Sequence, residues 1–307
     1  MSARLRNQCL KASQQVQALL ARSRLEASRS AITDEAIASL RHEGVYLATV
    51  ERLLGGLAPA CRDAMAEAQA LSQAAEAQGG ATWQSNGAST DLAPGELLAR
   101  LPALFLFGLN ATVLSIAEQY LRVPVAYHGA VLRHSLVDGN AVGPRLWHRD
   151  AEDFHVLRTV LYLNDVAEDG GPFEYVPRHA RFADPQASSC GQQCSDDAMA
   201  ALVPREHWKR CVGPSGTVVM ADSARVFHHE SLQRGADRLV VMMGHASRRP
   251  KDRALAESHF PAHRHLDALA AVVRPEHQAH VFGWRGLETP GPGQRVRATP
   301  GGDFIIG

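Results

Sequence analysis

Trp147-His148-Arg149-Asp150, followed far downstream by Gly216-Thr217-Val218-Val219-Met220-Ala221-Asp222 and then His228, is the text that decides the fold. In an extended chain side chains alternate faces, so His148 and Asp150 point the same way while Arg149 points to the other. An imidazole and a carboxylate on one face can reach a common metal ion, but a third ligand has to come from elsewhere. His228 is placed for it. The run before it is β-branched and apolar, and Asp222-Ser223-Ala224 reads as a turn. Strands this far apart in sequence meet side by side in a closed or sandwiched sheet. Two imidazoles and one carboxylate on one side of a metal leave the other side open, the donor pattern of non-haem iron rather than of four-coordinate structural zinc.

Beyond His228, Arg238 opens the apolar run Leu239-Val240-Val241-Met242-Met243, which ends at Gly244 and reads as a buried strand. A guanidinium at the mouth of a strand-lined pocket suits a carboxylate, because its planar fork donates two parallel hydrogen bonds. Arg158 and Tyr162 share a strand face with Val160, and if that face looks inward both flank a bound cosubstrate. The plainer alternative is a strand-edge charge and an ordinary core aromatic. Trp147 either lines the cavity or braces its strand. Taken singly these signals are weak, since 15 histidines in 307 residues make chance His-x-Asp pairs common. His229 competes with His228, and His263 with His265 repeats the i, i+2 spacing without a partner strand.

In order and spacing, Trp147 to Asp150, Tyr162-Leu163-Asn164-Asp165-Val166, Gly170-Gly171-Pro172-Phe173-Glu174-Tyr175-Val176-Pro177, Asp222 to His228, and Arg238 resemble the phytanoyl-CoA dioxygenase-like branch of the iron(II)- and 2-oxoglutarate-dependent oxygenases. Ile32 through Val45 resembles that family's helix-then-strand opening, so the resemblance covers residues 32–246. It implies a mainly β fold with flanking helices, a double-stranded β-helix or jelly roll. It implies iron(II) held by His148, Asp150 and His228, and 2-oxoglutarate as cosubstrate with its distal carboxylate on Arg238. With O2 as oxidant, the implied reaction hydroxylates an unactivated C–H bond and releases succinate and CO2. Related halogenases carry Ala or Gly at the acid ligand, so Asp150 argues against halogenation. The family often has Pro-Gly-Ser-His where this chain has Pro177-Arg178-His179, and Gly-Ser where it has His229-Glu230, which leaves a hydroxyl contact to the cosubstrate without a residue.

The phrases at Trp147 and Tyr162 are similar to a bacterial subset that includes hydroxylases of 3-deoxy-manno-octulosonic acid on lipopolysaccharide precursors. The substrate expected is therefore a small molecule or saccharide, with that sugar acid first. Two other readings stand beside this one. A cupin-type metalloenzyme that does not use 2-oxoglutarate is disfavoured by Arg238 and Gly170-Gly171-Pro172-Phe173. A catalytically silent jelly-roll binding protein is disfavoured because every ligand position is filled.

The rest of the chain fits one oxygenase domain spanning residues 1–307, with the oligomeric state left open. Hydrophobic content of 45% supports a packed interior, and a formal net charge of +0 argues against nucleic acid as the main partner. The five cysteines are too few and scattered for a disulfide framework and suit a reducing compartment. The first 30 residues hold no continuous apolar block of a secretory signal, so cytoplasmic residence is expected. Within residues 1–30, Leu5, Cys9, Ala12, Val16 and Leu19 mark one apolar helix face, and six basic side chains face Glu26 alone. Such a helix packs on protein or lies on an anionic membrane surface. Residues 254–307 read as a helix from Ala254 to Val273 followed by a Gly- and Pro-rich tail from Gly286 to Gly302 that reads as loop.

Overall fold

The unbroken apolar runs are strands buried on both faces. The structure is a computed structural model that describes residues 6–8, 10–14, 30–77, 83–85, 89–180, 193–284, 296–298 and 304–306. One sheet has seven strands in the order β1 (Val45–Thr49), β10 (Thr217–Asp222), β6 (Leu157–Tyr162), β12 (Arg238–Ser247), β4 (Val125–Ser135), β3 (Ser89–Leu92) and β2 (Trp83–Ser85). The other has five, in the order β8 (Gln193–Cys194), β5 (Trp147–His148), β11 (His228–Glu230), β7 (Phe173–Tyr175) and β9 (Lys209–Cys211). Neighbours within both sheets pair antiparallel. Two such sheets with helices outside form a double-stranded β-helix, a jelly roll.

The period of two explains why the alternation is hidden in the sequence. Leu157, Leu161, Val218, Met220, Leu239, Val241 and Met243 belong to the core under the helices. Their neighbours Val160, Tyr162, Val219, Ala221 and Val240 belong to a second core between the sheets. Because both faces are covered, inward and outward positions are equally apolar, each large side chain contributing about 1.5–3 kcal/mol by leaving water. The helical layer includes α1 (Ala31–His42), α2 (Ala58–Ala77) and α3 (Ala111–Leu121). Ser30 starts α1 with a capping box closed by Thr33, and Asn110 caps α3 by accepting from the Thr112 N–H at 2.9 Å. No single described helix is long and apolar enough to cross a membrane. The bent pair Pro102–Leu109 and Ala111–Leu121 has the composition for it, but Leu104, Phe105, Val113 and Ile116 are wholly buried in this core.

Three expectations need correction. The helix expected from Ala254 to Val273 is broken into α4 (Arg253–Glu257) and α5 (Leu266–Val272). Pro261 disfavours helical backbone at Phe260, whose ring is buried instead. The turn between them lies against β4, where Gly129 has φ 95° and a Cβ would stand 2.0 Å from the His259 carbonyl oxygen. Val296–Ala298, inside the tail that reads as loop, pairs antiparallel with Phe304–Ile306. Cys194 is disulfide-bonded, so the scattered cysteines include a bridge, whereas Cys61 and Cys211 are free and buried. Most of the basic N-terminal segment also lies outside the described residues. Helical backbone is present at 6–8 and 10–14, where Arg6, Lys11 and Ala12 are exposed. There Gln14 donates to Ser247 Oγ at 2.8 Å and to Asp153 Oδ1 at 3.2 Å.

Candidate active site

Cross-strand register builds the site. β11 lies between β5 and β7, with His228 directly opposite His148 on one side and Tyr175 on the other. Opposed residues in an antiparallel pair share a face, so the two imidazoles come together with ring centroids 4.4 Å apart. Asp150 follows just past the end of β5, its N–H donating to the Ser223 carbonyl at 2.9 Å, which ties it to the turn leaving β10. Asp150 Oδ1 lies 3.8 Å from His148 Nε2 and 4.0 Å from His228 Nε2, and one ligand atom from each residue falls within 4.8 Å of the others. His148 Nδ1 faces the Leu146 carbonyl at 2.7 Å and His228 Nδ1 the Val226 carbonyl at 3.2 Å. Each contact is satisfied only if Nδ1 carries the proton, which leaves both Nε2 lone pairs for a cation. Phe173 stacks on the His228 ring at 5.1 Å and 16°, fixing its plane.

The electrostatics favour the same protonation states. Burial opposes ionisation of Asp150, but the nearby Arg158 guanidinium, with His228 and His148, outweighs it and holds the carboxyl well below the usual carboxylate range. Arg158 Nη2 and Nε donate to Asp150 Oδ2 at 2.8 and 3.2 Å, so the outer oxygen is occupied and Oδ1 is left facing the imidazoles. Burial, reinforced by His148, pushes the His228 imidazole down to about 3. The donor set thus fits a divalent metal: two neutral imidazoles, one carboxylate, one side open to a cavity. A second cluster, His42, Glu43 and His179, has two exposed histidines, and its acid already meets Lys209 Nζ at 2.9 Å.

The cavity beside the triad measures about 220 Å³ and is lined in part by Arg133, Glu152, Arg158, Glu230, Arg238 and His259. Arg238 is buried and lines this pocket. It is not a free fork, however. Its Nη1 donates to the Gly171 carbonyl at 2.8 Å, and its Nη2 is paired with Glu230 Oε2. Gly171 has φ 72°, and a Cβ there would meet Gln233 Nε2 at 2.4 Å, so this carbonyl reaches Arg238 only from a glycine. Glu230 follows His228 by two positions on the same strand face, which is why it enters the pocket.

Other expected residues land elsewhere. Arg158 lines the cavity, but its guanidinium is spent on Asp150, on Glu152 and on His259 Nδ1 at 3.2 Å, so it positions the acid ligand rather than presenting a free cosubstrate contact. The Tyr162 hydroxyl donates to the Cys211 carbonyl at 2.7 Å and accepts from the Phe173 N–H at 3.0 Å. That places Tyr162 as a brace between the sheets and away from the cavity lining. Trp147 stacks on His229 at 4.0 Å and 23° and donates to Asp196 at 2.9 Å, so it braces β5. His229 points to the opposite face from His228, its Nε2 2.8 Å from Glu174 Oε2. Sequence reasoning misses Glu152 and Glu230 as cavity residues. The i, i+2 step from Asp150 and from His228 is the signal that finds both.

No protein-family model matches the chain, and no curated protein matches its sequence. Solved structures do match in shape. The epimerase SnoN in complex with Fe3+, alpha ketoglutarate and nogalamycin RO has a TM-score of 0.50 at 15% identity, over 73% of this chain and 88% of that one. EctD from S. alaskensis with bound Fe gives 0.49 at 15%, over 72% and 78%. HygX from Streptomyces hygroscopicus with nickel and 2-oxoglutarate bound gives 0.47 at 14%, over 69% and 86%. At 15% identity the likeness to SnoN is one of fold alone, the jelly roll described above.

Proposed function

We propose that this chain is an iron(II)-dependent oxygenase that uses 2-oxoglutarate to hydroxylate a C–H bond of a small molecule or saccharide. The observation that carries the reading is the convergence of His148 Nε2, Asp150 Oδ1 and His228 Nε2 around one point at the wall of a cavity. Iron(II) held there would supply the redox chemistry with dioxygen that no side chain provides. The chain's own residues do the rest. Leu146 and Val226 carbonyls fix the histidine tautomers, and Arg158 holds Asp150 ionised with Oδ1 toward the two imidazoles, where the three would hold the ion. Phe173, Val160 and Met242 make part of the cavity wall apolar, which limits water near the reacting centre. Arg238 is the cavity cation we assign to the tail of a 2-oxo acid. Glu152, Ser258 and His259 give the same cavity polar groups suited to a hydroxylated substrate, and 3-deoxy-manno-octulosonic acid is the first to test.

The test is succinate formation from 2-oxoglutarate by protein loaded with iron(II), with and without candidate sugar acids, alongside Asp150→Ala. Substrate-dependent succinate in the wild type and none in the variant supports the reading; equal turnover by both sinks it. Cytoplasmic residence with peripheral membrane contact through the basic N-terminal segment is part of the same proposal. It is supported by Arg6 and Lys11, which are exposed. Sedimentation with anionic vesicles that fails, while neutral vesicles behave the same, would remove the membrane contact.

A further inference from the structure

We propose that Glu230 sets which 2-oxo acid this site accepts, as an internal carboxylate that competes with the tail carboxylate of 2-oxoglutarate for Arg238. The inference rests on the reading of the pocket as a metal centre that takes a 2-oxo acid. Arg238 and Glu230 are 3% and 5% exposed and both line the cavity. Of the guanidinium nitrogens, Nη2 is paired with Glu230 and Nη1 donates to Gly171, while Nε is buried without a partner. A second carboxylate arriving at this cation meets Glu230 as a like charge, in a place where water screens little. The dicarboxylate is bound in full only when Glu230 leaves.

The surroundings offer it a second partner. Arg145 Nε lies 4.0 Å from Glu230 Oε1, and Gln233 donates to that same oxygen. Arg145 is itself held by Asp138 and by the Asn140 and Leu136 carbonyls at 2.7 and 2.6 Å, so it is a fixed cation toward which Glu230 turns. The turn exchanges one guanidinium for another and keeps Glu230 paired. A 2-oxo acid with an uncharged tail requires no such exchange, because the Arg238 charge is already balanced. Glu230 therefore narrows the preference for the dicarboxylate that a lone Arg238 would impose.

The experiment is anaerobic calorimetry on Mn(II)-loaded wild type, Glu230→Gln and Glu230→Ser, each titrated with 2-oxoglutarate and with 2-oxobutyrate, whose tail carries no charge. In both variants 2-oxoglutarate affinity rises by about tenfold or more while 2-oxobutyrate affinity changes far less. A preference ratio that stays fixed, or moves toward 2-oxobutyrate, overturns the inference. So does a wild type that already prefers 2-oxoglutarate by more than about a thousandfold, a result that needs no variant to fold. A wild type that takes up no Mn(II) overturns the metal reading and this inference with it, whereas uptake with an unchanged ratio overturns this inference alone.

Discussion

Adjacent histidines on β11 face opposite sides of one sheet, and their replacement should separate chemistry from stability. His228→Ala should abolish Co(II) uptake followed by visible absorption. His229→Ala should keep it, while the loss of the Trp147 stack and the Glu174 partner costs about 1–3 kcal/mol in urea unfolding. The reverse pattern would exchange their roles. Arg158 acts through Asp150, so Arg158→Ala should weaken metal binding by about 10–100-fold without removing a ligand, and Arg158→Lys should restore part of it. The candidate ligands are legible at this scale because a metal demands particular donors at particular spacings. For Glu230 and Glu152 the i, i+2 step gives the face of the chain but not the buried guanidinium that each one meets there.

Between elements, Glu174 joins β7 to β11 through His229 and to β9 through Arg210 at 2.7 Å. Burial raises its pKa, yet hydrogen bonds from His229 and Arg210 prevail and lower it below the ordinary 4.5. A folded value below the unfolded one means that the stabilisation is present above the unfolded pKa and lost as pH falls through the folded one. Wild-type stability should thus drop more than that of Glu174→Gln between about pH 6 and pH 3, as read from urea midpoints. Gly171→Ala should destabilise the chain by about 1–3 kcal/mol and loosen the carbonyl that anchors Arg238, with 2-oxoglutarate binding weakened in step. Strand existence was plain in the sequence wherever an apolar run was long, as in β12. The two-residue β5 was legible only through its ligand, since Trp147-His148 carries no period of its own. The break at Phe260-Pro261 was overlooked because flanking alanines and leucines continue the helical pattern through it.

Taken as a whole, the molecule brings two imidazoles and a carboxylate together between two sheets, and a divalent cation bound by them should stabilise the fold around it. Saturating Mn(II) at about 100 times its Kd should add about 2.7 kcal/mol and raise the Tm, an effect reversed by chelator and absent from Asp150→Ala. The distant phrases call for a closed or sandwiched sheet that brings β5 and β11 side by side, and their resemblance to a known family is what implies a jelly roll. The substrate does not follow, because Ser258 and His259 reach the cavity from a turn where the sequence has no repeating pattern. That turn rests on Gly129, where the bare α-carbon of β4 accommodates the His259 carbonyl. The shape of the cavity is therefore governed from outside it: a single methyl group added at Gly129 would displace the His259 backbone and reshape the wall, with no lining residue changed.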